Sequence, residues 1–262
     1  MGVINATPDS FFGGSRRIEV NAAADAAASM VDAGADIVDI GGESTRPGAD
    51  PVSEAEEMDR TVPIIERVCE LDAVVSIDTC KAGVAAAAIR AGAQFVNDVR
   101  AACGDGMLEL LAGSDVGVCL MHMRGEPRTM QERPVYGDVV SEVREFLGQR
   151  VAACREAGVD TARLVVDPGF GFGKTVSHNL ALLANLRALS SIGLPVLVGF
   201  SRKSTLGALT GKEVTDRLPA SIAAAVLAAV DGASVLRVHD VGETVDALKV
   251  VEATLAHVRP HV

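Results

Sequence analysis

The feature that most constrains the fold is an eightfold alternation of a short apolar run with a longer, Ala- and Glu-rich stretch of helical periodicity. Continuous apolar runs predict strands buried on both faces, as in a parallel sheet covered by helices. Eight such units in 262 residues predict an α/β fold, a (β/α)₈ TIM barrel, as a single domain over 1–262. A doubly wound sheet is the alternative, but it would normally need fewer strands or a longer chain. The predicted strands are 2–6, 36–41, 74–78, 95–99, 116–122, 164–167, 195–200 and 234–240, and the predicted helices are 21–33, 53–70, 81–91, 105–113, 138–157, 177–190, 216–231 and 242–257.

Composition limits the partners. The 24 Lys and Arg residues against 35 Asp and Glu give a net charge of −11, which argues against nucleic acid or an anionic membrane as a partner. The longest apolar run, 220–230, is too short to cross a bilayer. The five cysteines are scattered and form no C-x-x-C pair, which predicts reduced thiols and a cytoplasmic protein.

Polar residues stand at the end of every predicted strand. Active sites of such barrels collect at the carboxyl ends of the strands, so this pattern predicts the site. Helix capping explains a single Asp or Asn but not eight strand ends in a row. For His122 two interpretations stay open: it lines the pocket, or it simply closes the fifth strand. The strand-end residues are Asn5, Glu43–Arg46, Asp78, Asn97–Asp98, His122, Asp167, Ser201–Lys203 and Arg237–His239.

The stretch "LVVDPGFGFGK" (164–174) ends a strand in a carboxylate and continues in glycines. A Walker loop would need glycine where Pro168 stands, and a dinucleotide fingerprint would need glycine where Lys174 stands. Asp167 would be costly inside the barrel unless donors reach it, and a flat heterocycle with an amino group and a ring N–H would supply them. A metal cluster is the weaker alternative, since no histidine lies nearby at ligand spacing.

Basic residues follow the last two predicted strands, in "SRKS" (201–204) and "RVHD" (237–240). This is the usual phosphate-binding corner of such barrels, and structural salt bridges are the alternative role for these cations. The loops 5–17 and 41–50 are predicted to act as a lid that excludes water. Neither a G-x-S-x-G elbow nor a paired nucleophile stands out, so the chemistry is predicted to rely on positioning and charge stabilisation.

These motifs resemble those of the dihydropteroate synthases of folate biosynthesis. The matching stretches are "NATPDSF", "GGESTRPGA", "SIDT", "VND", "LMHM", "DPGFGFGK", "GFSRKS" and "RVHD", in order from the first strand onward. The resemblance implies transfer of a dihydropterin methylene from its diphosphate to the amine of 4-aminobenzoate. It also implies Mg²⁺ as cofactor and a homodimer formed through the late helices.

The resemblance further implies a role for each matching residue. The pterin would contact Asp78, Asn97, Met121, Asp167 and Lys203, and the diphosphate would contact Asn5, Arg46, Arg237 and His239, with Mg²⁺ near Asn5. The 4-aminobenzoate would contact Phe11, Thr45, Pro47, Phe172 and Ser201, and the catalytic residues would be Arg46, Asp78 and Lys203.

Two other functions remain as alternatives. A pterin-binding methyltransferase of related fold would not need the basic corner or the "STRPG" loop. A non-catalytic pterin-binding paralogue would not need the cations Arg46, Lys203, Arg237 and His239.

The first loop departs from the family's common Asp-Ser-Phe-Ser-Asp-Gly-Gly, since it reads "DSFFGGS" and adds Phe12. Sulfonamide drugs mimic 4-aminobenzoate, and an extra ring at the pocket mouth would clash with a drug that extends beyond the substrate's outline. We therefore hypothesise a sulfonamide-insensitive form that could act as a resistance determinant. The competing interpretation is that Phe12 merely anchors the open loop.

The substitution Phe12→Ser tests this hypothesis. We expect the ratio of the sulfonamide inhibition constant to the KM for 4-aminobenzoate to be high in the parent and to fall in the variant, because the steric block is removed. An ordinary ratio in the parent, unchanged by the substitution, would end the idea.

Overall fold

A parallel β-barrel forms the centre of the molecule. The structure, a computed structural model, describes residues 1–6, 16–44 and 48–257. Within these ranges the strands are β1 (Gly2–Asn5), β2 (Ile37–Gly41), β3 (Val74–Asp78), β4 (Phe95–Asp98), β5 (Gly117–Met121), β6 (Leu164–Asp167), β7 (Leu197–Val198) and β8 (Val235–Leu236).

The strands close into a ring. β1 to β6 pair in parallel in chain order, and β7 pairs in parallel with β8. A bridge between Val166 and Val196 joins β6 to the start of β7, and a bridge between Gly2 and Val238 joins β1 to the residues after β8. The Val238 amide also donates to the Met1 carbonyl at 2.9 Å. Closure excludes the doubly wound sheet, and the predicted TIM barrel is confirmed.

Helices follow the strands around the outside. In the described ranges they are α1 (Arg16–Asp32), α2 (Glu54–Val68), α3 (Ala82–Arg90), α4 (Met107–Ala112), α5 (Val139–Glu156), α6 (Val176–Ala184), α7 (Ser204–Thr210), α8 (Leu218–Val230) and α9 (Val241–Leu255). All eight predicted helices are present, and α7 was not predicted. None of the helices in these ranges is both long and apolar enough to cross a membrane.

Side-chain caps mark the starts of two of the predicted helices, those at 53–70 and 177–190. The Ser53 hydroxyl accepts the Glu56 amide at 3.2 Å, as the sequence predicts for α2. The predicted start at Ser177 is wrong, because Thr175 caps α6 in a reciprocal pair with His178. A short polar residue followed three positions later by a second hydrogen-bonding side chain is the governing pattern, and here the second side chain is a histidine.

The strands divide the hydrophobic core from the polar interior by alternation. Residues that face the helices, such as Ile40, Ile77 and Val96, are fully buried in the apolar core. Their neighbours of opposite parity point into the barrel, because successive side chains of a strand face opposite sides. Asp39 and Ser76 are two such inward residues, and both are fully buried. The fold thus places a polar cluster at the centre of an apolar shell.

Candidate active site

The centre of the barrel mouth is an arginine held between two carboxylates. Arg237, just after β8, donates from Nε to Asp39 Oδ2 at 2.6 Å and from Nη2 to Asp78 Oδ2 at 2.7 Å. Asp39 also accepts the Ser76 hydroxyl at 2.5 Å and the Asn97 amide at 3.0 Å. These bonds join β2, β3, β4 and the end of β8 in one network.

Burial and charge oppose each other in this network. Burial raises the pKa of Asp78 to about 7, while the Arg237 guanidinium acts to lower it. Burial alone would lower the pKa of Arg237, but Asp39 and Asp78 raise it above its ordinary value. A cation between two buried carboxylates is what allows them to lie close together.

Asp167 ends β6 beside Met121, its register partner on β5, and both side chains are buried. Asp167 Oδ1 accepts the Gly169 amide at 2.7 Å. Burial raises the pKa of this carboxyl group, and the Gly169 amide and the cation of Lys203 act against the rise. The result is a buried strand-end acceptor stabilised by one backbone donor and by nearby positive charge.

Lys203 reaches from the loop after β7 towards the glycine loop. Its Nζ donates to the Phe170 carbonyl and lies 4.3 Å from the centre of the Phe172 ring. Burial lowers the pKa of this ammonium to about 8, and the Asp167 carboxylate acts in the opposite direction. Lys203, Phe172 and Asp167, which the sequence placed in one site, therefore lie together.

The loops after β7 and β8 are tied to each other. Ser201 Oγ accepts the His239 amide at 3.3 Å and lies 3.1 Å from His239 Nδ1. Next to this pair, the Arg202 guanidinium binds Asp240, with Nε 3.0 Å from Oδ2. The alternative interpretation of the basic corner was structural salt bridges, and the structure shows such bridges at Arg202 and also at Arg237.

The remaining predicted site residues divide between β1 and segments outside the described ranges. Asn5 is half-buried at the carboxyl end of β1, opposite Gly41. Within the described ranges no group of three or more His, Cys, Asp or Glu side chains could hold a metal ion. The other predicted contacts lie outside the described residues and stay predictions: Phe11, Phe12, Thr45, Arg46 and Pro47.

The glycine loop packs against another loop. Gly169 and Gly173 have φ of 67° and 62°, values that only glycine adopts at low cost. A Cβ at either position would overlap a main-chain carbonyl oxygen, that of His122 or of Arg124. At these two positions the glycines therefore let the backbone approach the loop after β5 closely.

Lys174 ends this loop in a buried position. Its Nζ lies 2.9 Å from His122 Nδ1, 2.9 Å from the Gly169 carbonyl and 3.0 Å from the Phe172 carbonyl. His122 thus packs beneath the glycine loop, and its ring also meets Phe146 edge-on at 4.9 Å. Of the two interpretations left open, the one in which His122 closes the fifth strand is the correct one.

Sequence reasoning missed two members of this arrangement. Asp39 was part of an apolar run, although its place two residues before Gly41 puts it on the inward face of β2 and could have signalled it. Lys174 carries no local signal of burial, because its acceptors come from residues 122, 169 and 172 and meet only in the folded chain.

Known proteins with the same architecture match the chain almost end to end. The family described as "Pterin binding enzyme" matches residues 1–239. The dihydropteroate synthase of Escherichia coli (strain K12) is 47% identical over 98% of this chain and 91% of its own length. That of Haemophilus influenzae is 47% identical over 97% of this chain and 93% of its own.

Solved structures agree with these relatives. The Yersinia pestis dihydropteroate synthase, in complex with a sulfonamide drug, superposes with a TM-score of 0.93 at 46% identity, covering 97% of this chain and 93% of that one. The Xanthomonas albilineans dihydropteroate synthase with 4-aminobenzoic acid gives a TM-score of 0.92 at 48% identity, covering 97% and 92%. A structure of the latter enzyme with 7,8-dihydropteroate gives 0.88 at 44% identity, covering 97% and 92%.

Burial of His122 predicts a pH dependence of stability. Burial first, and Lys174 and Arg124 after it, lower the pKa of the imidazole to about 3. Below pH 6.5 the unfolded chain therefore takes up a proton that the folded chain refuses, so the free energy of unfolding falls as the pH falls towards 3. Between pH 7.5 and 5.5 we expect His122→Gln to lose about 1.4 kcal/mol less than the parent. Urea unfolding at both pH values measures the difference, and equal losses would contradict it.

Proposed function

This chain belongs to the pterin-binding enzyme family, and from that membership we propose how its residues divide the work of the dihydropteroate synthase reaction. The activity itself is that of a transferase: a dihydropterin methylene moves from its diphosphate to the amine of 4-aminobenzoate, giving 7,8-dihydropteroate and diphosphate.

The observation that carries the proposal is the uneven distribution of charge around the barrel mouth. Carboxylate and amide side chains lie on the β2, β3, β4 and β6 side, where Asp39, Asp78, Asn97 and Asp167 are found. Basic and hydroxyl side chains lie after β7 and β8. This distribution fits a ligand with a donor-rich ring at one end and an anionic group at the other.

The acceptor side is proposed to bind the pterin. Asp167 would accept hydrogen bonds from the amino group and ring N–H, since one of its oxygens already accepts a backbone amide and its position is thereby fixed. Asp78 and Asn97 are register neighbours on β3 and β4 and would contact the ring's other polar edge. Met121, buried beside Asp167, would pack on the ring face.

The basic side is proposed to bind the diphosphate. His239 and Ser201 are held together there, with Arg237 two residues before His239 in the chain. Arg237 would serve both halves of the substrate, because its Nε and Nη2 already bond the carboxylates of the pterin side. Arg46, also proposed for the diphosphate, lies outside the described residues.

The reaction needs charge stabilisation more than a strong base. The electron-rich ring can stabilise positive charge on its exocyclic carbon, so the C–O bond breaks towards diphosphate while the neutral amine nitrogen forms the new C–N bond and then loses a proton. On this proposal Lys203 and Arg237 would stabilise the negative charge that develops on the departing oxygen. Phe172, under Lys203 Nζ, would line the aminobenzoate position together with Ser201, as would Phe11, Thr45 and Pro47.

The proposed cofactor is Mg²⁺. This ion usually takes few protein ligands and several oxygens from substrate phosphates and water. A single amide oxygen from Asn5, at the mouth end of β1, fits that pattern. When bound, the ion supplies positive charge that neutralises the diphosphate.

Three further predictions, the cytoplasmic location, the homodimer and the single domain, remain proposals. Free cysteines at all five positions agree with a reducing cytoplasm. Leu227 and Val250, exposed on α8 and α9, offer apolar surface for the proposed homodimer through late helices. One domain over residues 1–262 remains a prediction.

Turnover is the direct test of the proposed function. With 6-hydroxymethyl-7,8-dihydropterin diphosphate, 4-aminobenzoate and Mg²⁺, we expect stoichiometric diphosphate and dihydropteroate, because the relatives that match almost the whole chain are dihydropteroate synthases. Pterin binding without product would favour the non-catalytic paralogue. Methyl transfer from a folate to a corrinoid, without diphosphate release, would favour the methyltransferase.

The substitution Asp167→Asn tests the acceptor role. Asparagine keeps an oxygen for the Gly169 amide, so folding should be preserved, while the charge-assisted bonds to the ring are lost. Such bonds contribute about 1.5–3 kcal/mol each, so we expect the Kd for 6-hydroxymethyl-7,8-dihydropterin, by calorimetry, to rise by about ten- to a hundredfold.

A matched control is Asp98→Asn on β4, which β5 separates from β6. Asp98 is also a buried strand-end carboxylate, but its two oxygens accept the amides of Arg100 at 2.7 Å and Ala102 at 2.9 Å. Replacing one oxygen by an NH₂ group should therefore lower stability while pterin affinity stays close to that of the parent. Equal pterin affinity in Asp167→Asn and the parent would sink the assignment of Asp167.

A further inference from the structure

Side-chain donors hold the glycine loop Gly169–Gly173 at every residue. Each of its five consecutive carbonyl groups accepts a hydrogen bond from a side chain. The donors are Lys174 to Gly169 and Phe172, Lys203 to Phe170, Gln131 to Gly171, and Tyr136 to Gly173.

This pattern is unusual for a loop. Most carbonyl groups outside helices and strands bind backbone amides or water, and side chain–backbone bonds are the minority. A chain with glycine at every second position also loses more conformational entropy on ordering than any other. Something must offset that cost, and the side-chain donors contribute to it.

Lys174 binds two of the five loop carbonyl groups, more than any other of these donors. Its side chain is 3% exposed, and its Nζ lies within 3.3 Å of three carbonyl oxygens and of His122 Nδ1. Burial lowers the pKa of this amine well below its ordinary value, and Asp167 acts to raise it. Because three carbonyl oxygens surround Nζ, the protonated amine with its three donors fits the site. Its position fixes the loop against the end of β5.

Tyr136 supports the same loop from outside. Its hydroxyl donates to the Gly173 carbonyl at 2.9 Å. The ring is held between the Arg124 guanidinium, 4.0 Å from its centre, and the ring of His178 at 4.9 Å. The hydroxyl is therefore presented by a side chain whose orientation is itself fixed.

We propose that Lys174 and Tyr136 are positioning residues that hold the loop Gly169–Gly173 in its binding conformation before any ligand arrives. The inference rests on the proposed function, since it takes two residues to be substrate contacts: Phe172 within this loop, and Asp167, which accepts the loop's Gly169 amide. A loop ordered in advance spares the ligand the entropy of ordering it, which would otherwise weaken binding.

The substitution Lys174→Met tests the proposal, with Arg163→Met as matched control. Arg163 lies just before β6, at the end of that strand opposite the glycine loop. Its guanidinium donates to the carbonyl groups of Ser114 at 2.5 Å, Val116 at 3.1 Å and Leu111 at 3.2 Å. Both variants lose a cation that binds three main-chain carbonyl groups. Both should be less stable, and only the first alters the loop at the mouth.

The readouts are the Kd for 6-hydroxymethyl-7,8-dihydropterin and the two KM values, measured where both variants are folded. We expect Lys174→Met to raise the pterin Kd and the KM for pterin diphosphate about tenfold, equivalent to about 1.4 kcal/mol. The KM for 4-aminobenzoate should rise as well, because Phe172 lies within the loop and Lys174 binds its carbonyl group, and Arg163→Met should leave all three constants near the parent's. Equal effects of the two variants, or no change in either, would overturn the proposal.

Tyr136→Phe is the second variant, and it keeps the test informative if Lys174→Met does not fold. It removes one hydroxyl and retains the ring contacts, so we expect about a threefold rise in pterin Kd, the size of one modest hydrogen bond. A pterin Kd equal to the parent's would contradict the role of Tyr136.

Amide hydrogen exchange separates this inference from the proposed function. Peptides covering residues 169–174 should exchange faster in Lys174→Met and Tyr136→Phe than in the parent or in Arg163→Met, whether or not the protein turns over substrate. If the parent has no activity but its loop is protected from exchange, and both variants lose that protection, the proposed function is refuted and the positioning role of Lys174 and Tyr136 stands. If the enzyme is active and exchange is unchanged in both variants, only the positioning role is refuted.

Discussion

The barrel mouth depends on one half-buried guanidinium. Arg237 bonds Asp39 and Asp78 at 2.6 and 2.7 Å, and Asp39 is fully buried. Two carboxylates within reach of one cation are tolerated inside a protein because the cation and additional hydrogen bonds offset their desolvation. Removing the guanidinium or the carboxylates would leave uncompensated charge in the barrel. The stability of each charged group here therefore depends on the others.

The glycine loop shows a second constraint of the same kind. Gly169 and Gly173 allow the backbone to approach the loop after β5 more closely than any side chain would permit. Close approach alone would leave carbonyl groups without donors, which is costly wherever water is excluded. Donors from Lys174, Gln131 and Tyr136 solve that problem, and they also give a glycine-rich segment a single conformation.

The sequence was sufficient to predict the barrel and to place several polar residues at its mouth. Asp78, Asn97, Asp167 and Lys203 stand at or after strand ends, where such barrels collect their active-site residues, and the local pattern of apolar run and polar end was enough to find them. Asp39 was missed because it is a lone carboxylate within an apolar run, and its partner Arg237 lies 198 residues away. The role of Lys174 was missed for the same physical reason: contacts between distant segments, which no local pattern encodes, decide whether a lysine is buried.

On the proposed assignment of the diphosphate, the position of Arg237 between Asp39 and Asp78 also explains how an acidic protein can keep a site for an anion. A cluster of unpaired cations would be costly in the empty enzyme, because buried charge without a partner is strongly destabilising. Here the resident carboxylates neutralise the guanidinium while no substrate is bound, and its pKa is raised above the ordinary value. On the proposed assignment, an arriving diphosphate finds a cation already oriented by Asp39 and Asp78. When the diphosphate departs, the same carboxylates remain as partners, so release leaves no bare charge behind.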